Sequence, residues 1–368
     1  MSNDVRRMSR QVNGATVNRN KVLLEIRGLQ VEFRSREGRV RVLRGIDLEL
    51  RGGETLGIVG ESGCGKSMTA RSVLGIIPSP GRVAGGRITY HPADGSQVEI
   101  TGLREDGEEI RRIRGGQIGM IFQEPMASLS PVHTVGNQII EAVNLHVSRN
   151  RAEARRRAIE ALRMVGIPNP ASRIDDYPFQ MSGGMRQRVM LAMAVACEPR
   201  VLLADEPTTA LDVTTQAQIL ALLKRLQREL GLSVVLITHD LGVIAAMADR
   251  VAVMYVGRIV EEAPVGQLFA SPRHPYTVGL LNSVPRLGAT GERKLVSIAG
   301  AIPDMRAELG GCPFHPRCPH AVPGLCDVDE PGYHEVADAH RVRCVMFGDE
   351  RERHARGAGT ASLEGART

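Results

Sequence analysis

The 368-residue chain has no Trp, only 3% aromatic residues and no long apolar run. Its apolar stretches, such as Val189–Cys197 and Leu241–Ala248, fall well short of the roughly 18 residues that a membrane span needs. No apolar segment follows the basic residues Arg6, Arg7 and Arg10, so a secretory signal is not expected. These absences predict a protein kept in the cytosol, whose role at any membrane comes through partners.

Long blocks of like charge are also missing, although the formal net charge is +6. No run of Lys or Arg exceeds three residues, which favours a solvated, arginine-rich surface over a nucleic-acid-binding one. What is abundant is small and aliphatic: 42% of the residues are hydrophobic and 40 are Gly. That balance is typical of an α/β protein whose strands are buried on both faces, and the length allows about two domains.

The six cysteines are unevenly spread. Two stand alone, whereas four lie within 33 residues, at Cys312, Cys318, Cys326 and Cys344. In a cytosolic chain such a cluster indicates metal binding before it indicates disulfides.

Alternating apolar strands and helices predict a doubly wound parallel sheet. Residues from about 127 to 180 read as helix, and the segment Arg151–Val165 places its small apolar residues on one face. The predicted strands are Leu23–Phe33, Val40–Leu50, Thr55–Val59, Ile118–Phe122, Val201–Ala204, Ser233–Thr238 and Arg250–Tyr255. The other predicted helices are Lys66–Ile77, Met185–Cys197, Thr214–Leu230 and Leu241–Met247.

Residues 60–67 fit the pattern G-x-x-x-x-G-K-[ST] between a strand and a helix, the context that a phosphate-binding loop requires. Its backbone N–H groups and the helix N-terminus would bind phosphates, Lys66 would reach the β- and γ-phosphates, and Ser67 would hold Mg²⁺. A lowered thiol pKa at the helix N-terminus predicts that Cys64 is sensitive to thiol reagents. The candidate nucleotide-binding residues are Gly60, Glu61, Ser62, Gly63, Cys64, Gly65, Lys66 and Ser67.

A second element is the apolar strand that ends in Asp205 and Glu206. A strand of this kind places its terminal carboxylate at the edge of the sheet where ligands bind. We expect Asp205 to hold Mg²⁺ and Glu206 to orient or deprotonate a water molecule.

Ser182-Gly183-Gly184, between Met181 and Met185, resembles the signature of the ABC ATPases, although the two methionines depart from its most frequent form. A Ser and two glycines at a helix N-terminus make a second anion site. The resemblance, which covers about residues 22–345, implies that two ATPase subunits clasp ATP head to tail.

The same resemblance assigns roles to four further residues. Gln123 matches the Q-loop, which senses Mg²⁺ and water and faces the membrane partner. Asp212 in Ala210-Leu211-Asp212 matches the D-loop, and His239 matches the H-loop, which contacts the γ-phosphate. Phe33 is the candidate for the aromatic ring that stacks on adenine.

Residues 271–277 resemble the His-Pro-Tyr segment that begins the C-terminal extension of oligopeptide and dipeptide importers, a branch shared with nickel and glutathione importers. Cys312, Cys318, Cys326 and Cys344 resemble the cysteines that hold a [4Fe–4S] cluster in that branch, where all four are thiolates. Their spacing is not that of a zinc ribbon, but four nearby histidines keep zinc as an alternative: His315, His320, His334 and His340.

The resemblance implies a P-loop NTPase of the ABC cassette type, an α/β fold with a RecA-like core, an antiparallel β subdomain and an α-helical subdomain, plus a small cysteine-containing extension. The expected units are a disordered leader (1–21), the ATP-binding domain (22–262, with its helical subdomain at about 127–180), the extension (263–347) and a flexible tail (348–368).

The expected function is ATP-driven peptide import at the cytoplasmic face of the inner membrane, to which the subunit would attach peripherally. ATP, Mg²⁺ and the iron–sulfur cluster would be bound. The implied partners are a related second ATPase subunit, two permease subunits and an external binding protein, with no nucleic acid. Import of nickel, glutathione or another small solute is the first alternative. A soluble ABC ATPase acting on ribosomes or DNA is the second, but the chain has neither two cassettes nor a long coiled-coil insertion.

Overall fold

The computed structural model describes residues 21–35, 38–123, 128–209, 211–283, 298–306 and 310–348. Of the predicted leader only residue 21 is described, and of the predicted tail only residue 348. The strands are β1 (Val22–Ser35), β2 (Gly38–Arg51), β3 (Thr55–Val59), β4 (Gly81–Tyr90), β5 (Val98–Glu99), β6 (Ile118–Ile121), β7 (Val201–Asp205), β8 (Ser233–Ile237), β9 (Arg250–Tyr255), β10 (Arg258–Pro264), β11 (His334–Ala337) and β12 (His340–Val342). The helices are α1 (Lys66–Val73), α2 (Glu108–Ile113), α3 (Val135–His146), α4 (Arg151–Met164), α5 (Pro170–Arg173), α6 (Gly183–Val195), α7 (Val213–Leu230), α8 (Leu241–Met247), α9 (Val265–Ala270) and α10 (Pro275–Asn282).

A sheet of eight described strands in the order β11-β12-β10-β9-β3-β8-β7-β6 forms the centre of the protein. Strands β9, β3, β8, β7 and β6 are parallel, as predicted from their alternation with helices. Both faces of the sheet are covered, because alternate residues of β7 enter different cores: Val201 and Leu203 enter one, and Leu202 and Ala204 enter the other. Parallel pairing brings the carboxyl ends of β3, β7 and β8 to one edge, where ligands bind in sheets of this type.

A second sheet, antiparallel and in the order β2-β1-β4-β5, packs its apolar side chains into the same core as β3 and α1. Helices α3, α4 and α5 follow β6, and α4 buries the predicted stripe of Ala154, Ala158, Ala161, Leu162 and Val165. None of the described helices combines the length and the apolar character that crossing a bilayer requires.

The predicted helix Lys66–Ile77 is too long: α1 ends at Val73. Gly75 takes a left-handed φ of 60°, a conformation that stops the helix and that glycine adopts at little cost. The predicted Met185–Cys197 helix is displaced toward the N-terminus, because the Ser182 side chain accepts a hydrogen bond from Met185 N–H and starts α6 at Gly183.

The chain after residue 257 contributes to the central sheet, which the sequence did not predict. Strand β10 pairs antiparallel with β9 on one side and with β12 on the other, so residues near the end of the described chain complete the sheet. Two side-chain hydrogen bonds join these strands: the first is between Glu261 and His340, at 2.7 Å, and the second is from Arg341 to Glu262, at 2.6 Å.

Candidate functional site

The loop between β3 and α1 is shaped by glycines at two close approaches of the backbone. A Cβ on Gly60 would overlap the carbonyl oxygen of Met254. Gly65 has a left-handed φ of 109°, and a Cβ there would lie 2.8 Å from Leu43 Cδ2. Side chains are excluded at these points, so the backbone can bend tightly before α1, where the helix start can attract an anion.

Lys66 and Ser67 extend the loop's chemistry from the first turn of α1. The buried Lys66 ammonium donates to the carbonyl oxygens of Gly60, at 2.8 Å, and Glu61, at 3.0 Å. The Ser67 hydroxyl donates to Asp205 Oδ1 at 2.9 Å, which joins the loop to the end of β7. An ammonium, a hydroxyl and a carboxylate therefore meet beside the loop, which is the donor set that phosphate and Mg²⁺ require.

Asp205 and Glu206 are adjacent carboxylates in different environments. Asp205 is only 2% exposed, and burial raises its pKa against the opposing effect of the Ser67 hydrogen bond. For Glu206 burial also acts to raise the pKa, but hydrogen bonds from His239 and Thr209 outweigh it and the net pKa is lowered. The structure thus provides a buried carboxylate suited to a cation and an ionised carboxylate beside it.

Glu206 is the point where three polar side chains converge. Gln123 Nε2 donates to Oε2 at 3.1 Å, Thr209 Oγ1 donates to the same oxygen at 2.8 Å, and His239 Nδ1 lies 3.1 Å from Oε1. Because an ionised carboxylate only accepts, Nδ1 of His239 carries the hydrogen in this contact. Glu206 has a φ of 47°, a strained value for a residue with a side chain, and such strain is typical of functional sites.

The structure therefore brings together Lys66, Ser67, Asp205, Glu206, Gln123 and His239, all named from the sequence. It also adds Thr209, which the sequence analysis missed although it lies three residues after Glu206 in a Pro-Thr-Thr turn. That short spacing after two carboxylates is the signal that could have revealed it.

Ser182, Gly183 and Gly184 lie apart from this group. Ser182 and Gly183 are exposed, and open space surrounds the position that a Cβ on Gly183 would take. Among the described residues, no hydrogen bond joins them to residues 60–67. The helix start at Gly183 is exposed, and helix starts of this kind can attract anions.

Asp212 lies beside that helix start. Its carboxylate caps α7 by accepting from Thr215 N–H at 2.9 Å, and the Thr215 hydrogen bonds lower its pKa. Thr215 Cγ2 is 3.0 Å from the position of a Cβ on Gly184, so the starts of α6 and α7 are neighbours. The buried Gln187 of α6 donates to Pro207 O, which links this region to the turn after Glu206.

Cys64 and Phe33 both contact the core that lies under the second sheet. Cys64 was expected to have a lowered thiol pKa, but it is 3% exposed and burial raises the pKa, so the expected reactivity is wrong. Phe33 lies in β1, where its ring would contact a Cβ on Gly81 at 2.6 Å and packs against the core of the second sheet. Its proposed stacking on adenine stays a prediction.

The four clustered cysteines line one cavity of about 20 Å³ together with His315 and His320, and all four are free thiols. Burial raises the pKa of Cys312 to about 12 and that of Cys344 to about 11. Within the described ranges, no three His, Cys, Asp or Glu side chains are arranged so that they could hold a metal ion. The four thiols share one cavity, but as placed among the described residues they do not form a metal site.

Family comparison assigns two parts of the chain. Residues 43–209 match the ABC transporter family, and residues 260–326 match the oligopeptide/dipeptide transporter C-terminal region. The dipeptide transport ATP-binding protein of Bacillus subtilis is 47% identical over 334 residues, which cover 90% of this chain and 97% of that protein. The oligopeptide transport ATP-binding protein of the same organism is 47% identical over 326 residues, covering 88% and 89%.

Among solved structures, the chain is similar to a dimeric ATP-binding cassette in a post-hydrolysis state with bound ADP and phosphate. The TM-score is 0.57 at 28% identity, and the match covers 66% of this chain and 99% of that one. The fold around the central sheet is therefore that of an ATP-binding cassette.

Proposed function

The chain belongs to the ATP-binding proteins of the ABC transporters, and from this premise we propose that it hydrolyses ATP to drive import of dipeptides or oligopeptides. The observation that carries the catalytic part is the convergence of Gln123, Thr209 and His239 on Glu206, next to the phosphate loop. The cargo class is supported by the match of residues 260–326 to the oligopeptide/dipeptide transporter region.

Each residue of the site has a role in this proposal. Lys66 and the N–H groups of residues 60–67, apart from that of Glu61, bind the phosphates, and Ser67, Asp205 and Gln123 hold Mg²⁺. Bound Mg²⁺ would neutralise charge that develops on the phosphates during cleavage. The buried Asp205 carboxylate, which has the Ser67 hydroxyl as its hydrogen-bond donor, fits a cation ligand. Glu206 orients and deprotonates the attacking water, and His239 holds Glu206 and contacts the γ-phosphate.

The outward-facing helix start at Ser182–Gly184 acts on nucleotide bound by a second ATPase subunit, with Asp212 at the same interface. The exposure of Ser182 and Gly183 supports this arrangement, because an exposed helix start is accessible to nucleotide that another subunit binds. The similar cassette of known structure is a dimer with bound ADP and phosphate. We propose that the partner is a related subunit of the same transporter.

Two permease subunits and an external binding protein complete the proposed assembly, which places this chain at the cytoplasmic face of the membrane. Exposed apolar side chains near Gln123 and in the 127–180 subdomain support a permease-docking surface; Phe122, Val132, Tyr177 and Phe179 are at least 37% exposed. We propose that the chain divides into a leader (1–21), an ATP-binding domain (22–262), an extension (263–347) and a tail (348–368).

For the cavity lined by Cys312, Cys318, Cys326 and Cys344 we propose a [4Fe–4S] centre with a structural role. Four thiols in one cavity supply the required donor chemistry, although a volume of about 20 Å³ admits no more than about one water molecule. Binding would therefore move the side chains outward. The centre would stabilise a segment with few large apolar residues, because binding to a site absent from the unfolded chain adds to folding stability.

Anaerobic purification tests this centre. The protein should be brown and contain about four iron and four sulfide per chain, and Cys318→Ser should lose both. Cys197→Ser is the matched control, since Cys197 lies outside the cluster and should leave the iron content unchanged. A colourless preparation with one zinc per chain would contradict the proposal.

ATP hydrolysis by the chain alone and by the assembled transporter tests the main proposal. We expect slow turnover alone and much faster turnover with the permeases and the second ATPase subunit, because Ser182 and Gly183 reach only nucleotide on the opposite subunit. Reconstituted vesicles should accumulate a labelled dipeptide in an ATP-dependent manner. Equal specific activity of dilute chain and full assembly would contradict the shared site, and uptake of nickel or glutathione instead of peptide would contradict the cargo.

A further inference from the structure

Glu61, the second residue of the phosphate loop, is held by the C-terminal extension at two points. Its N–H donates to the hydroxyl of Tyr276 at 2.9 Å. Its two carboxylate oxygens accept from the guanidinium of Arg317 at 2.8 and 3.1 Å. On the opposite side its carbonyl oxygen accepts from Lys66. Thus the N–H, the carbonyl and the carboxylate of one loop residue are all fixed, two of them by residues more than 200 positions away in sequence.

The His-Pro-Tyr segment explains how Tyr276 reaches the loop. Burial lowers the pKa of His274 to about 3, so its ring is neutral and Nδ1 accepts from Tyr276 N–H at 3.1 Å, which caps α10. Pro275 occupies the first helical position, where its missing N–H costs nothing. The fully buried Tyr276 ring then packs against Tyr255, at 4.6 Å between centroids, and Phe314, at 5.5 Å.

Arg317 reaches Glu61 from the cysteine segment, immediately before Cys318. Its side chain is only 4% exposed and also donates to Ala299 O at 3.0 Å. A bidentate guanidinium–carboxylate pair of this kind is directional and stronger than a neutral hydrogen bond. The pair neutralises a carboxylate that would otherwise repel phosphate groups bound by the same loop.

We propose that Tyr276 and Arg317 are positioning residues for nucleotide binding, so that the C-terminal extension sets the geometry and the charge of the phosphate loop. Tyr276 keeps the N–H of Glu61 directed away from the phosphates, and Arg317 cancels the Glu61 charge. The inference rests on the proposed function, since it concerns nucleotide binding by residues 60–67.

The test is the dissociation constant of MgADP for the full-length chain. Arg317→Gln leaves Glu61 charged and unpaired, and the dissociation constant should rise about tenfold. Adding Glu61→Gln to Arg317→Gln removes the uncompensated charge and should restore most of the affinity. A role in folding alone would give no such recovery. Tyr276→Phe retains the buried ring and loses only the hydroxyl, and should weaken binding about threefold.

Two control variants lie in the same extension. Tyr333→Phe removes a hydroxyl that donates to Ile259 O at 3.3 Å, and Arg343→Gln removes an ion pair to Glu330 at 3.2 Å. Neither residue contacts the loop, so MgADP affinity should stay within twofold of the wild type. In the assembled transporter Arg317→Gln should raise the KM for ATP while kcat changes little.

Wild-type affinity in Tyr276→Phe and Arg317→Gln would overturn the inference and leave the proposed function intact. Failure of the Glu61→Gln, Arg317→Gln double variant to regain affinity would overturn the charge-cancelling role of Arg317. A wild-type chain that binds no MgADP would overturn the proposed function, and the inference with it.

Discussion

The two helix starts that can bind anions, at residues 60–67 and at residues 182–184, differ in how they are supported. The first is enclosed: Gly60 and Gly65 approach other backbone and side-chain atoms closely, and Lys66 is buried. The second is open, with Ser182 and Gly183 exposed and nothing near the Cβ position of Gly183. The first helix start is thus surrounded by this chain's own residues, whereas the second is accessible from outside. The difference is the basis for our proposal that ATP turnover requires assembly with a second subunit.

The largest expected effect comes from Glu206→Gln, which leaves both helix starts intact but removes the ionised carboxylate between them. Turnover in the assembled transporter should fall roughly 10²–10⁴-fold, while MgATP binding persists and two ATPase subunits stay closed on it. Amide hydrogen exchange at residues 183–185 should then slow, because the partner covers the open helix start. Glu229→Gln, at an exposed ion pair with Arg225, is the control that should keep full activity. Near wild-type turnover in Glu206→Gln would contradict the role given to this carboxylate.

Alanine substitutions at Gly60 and Gly183 test the difference between the two helix starts directly. In Gly60→Ala the new methyl group overlaps the Met254 carbonyl, which should destabilise the chain by about 1–3 kcal/mol and abolish MgADP binding. In Gly183→Ala the methyl group meets open space, so thermal unfolding and MgADP binding of the isolated chain should match the wild type. Turnover of the assembly should nonetheless fall, since the methyl group intrudes on the partner's nucleotide. Full assembly activity in Gly183→Ala would contradict a shared site.

The smallest effect concerns Asp205, the carboxylate at the enclosed site. Its pKa is raised in the folded chain, so the folded state retains the proton at a pH where the unfolded state has lost it. Stability therefore falls as pH rises from the unfolded pKa through the folded one, and at neutral pH the buried charge is unfavourable. Asp205→Asn should raise the ligand-free melting temperature by roughly 2 °C and remove the Mg²⁺-dependent part of nucleotide binding. A lower melting temperature in calorimetry would contradict this assignment.

The enclosed site was predictable from the sequence because its determinants are local. Residues 60–67 and the pair Asp205–Glu206 each lie at the end of an apolar strand, and parallel pairing brings these strand ends together.

The burial of individual side chains could not be predicted in the same way. The Cys64 thiol was expected to be reactive, but packing against residues distant in sequence encloses it and raises its pKa.

The last strands of the central sheet were missed for a related reason. Residues 258–264 contain Glu261 and Glu262, which make β10 look polar although both side chains are buried. Both carboxylates are hydrogen-bonded to side chains of β12, Glu261 to His340 and Glu262 to Arg341, each 79 positions later in the sequence. The residues next to β10 in the sequence do not reveal these distant partners, so the strand could not be predicted from its local pattern. For the same reason, the contacts of Tyr276 and Arg317 with Glu61 could not be predicted.

The separation of 256 residues between Glu61 and Arg317 also has a consequence for biosynthesis. During translation the phosphate loop leaves the ribosome long before the arginine that pairs with its glutamate, and before the strand at residues 340–342 that completes the sheet. Until then the nascent chain has an unpaired carboxylate at its phosphate loop and an open sheet edge at β10. An open edge of this kind can pair with other chains, so we expect a chain truncated before residue 317 to be prone to aggregation. The phosphate loop can therefore reach its final form only after residue 317 has been synthesised.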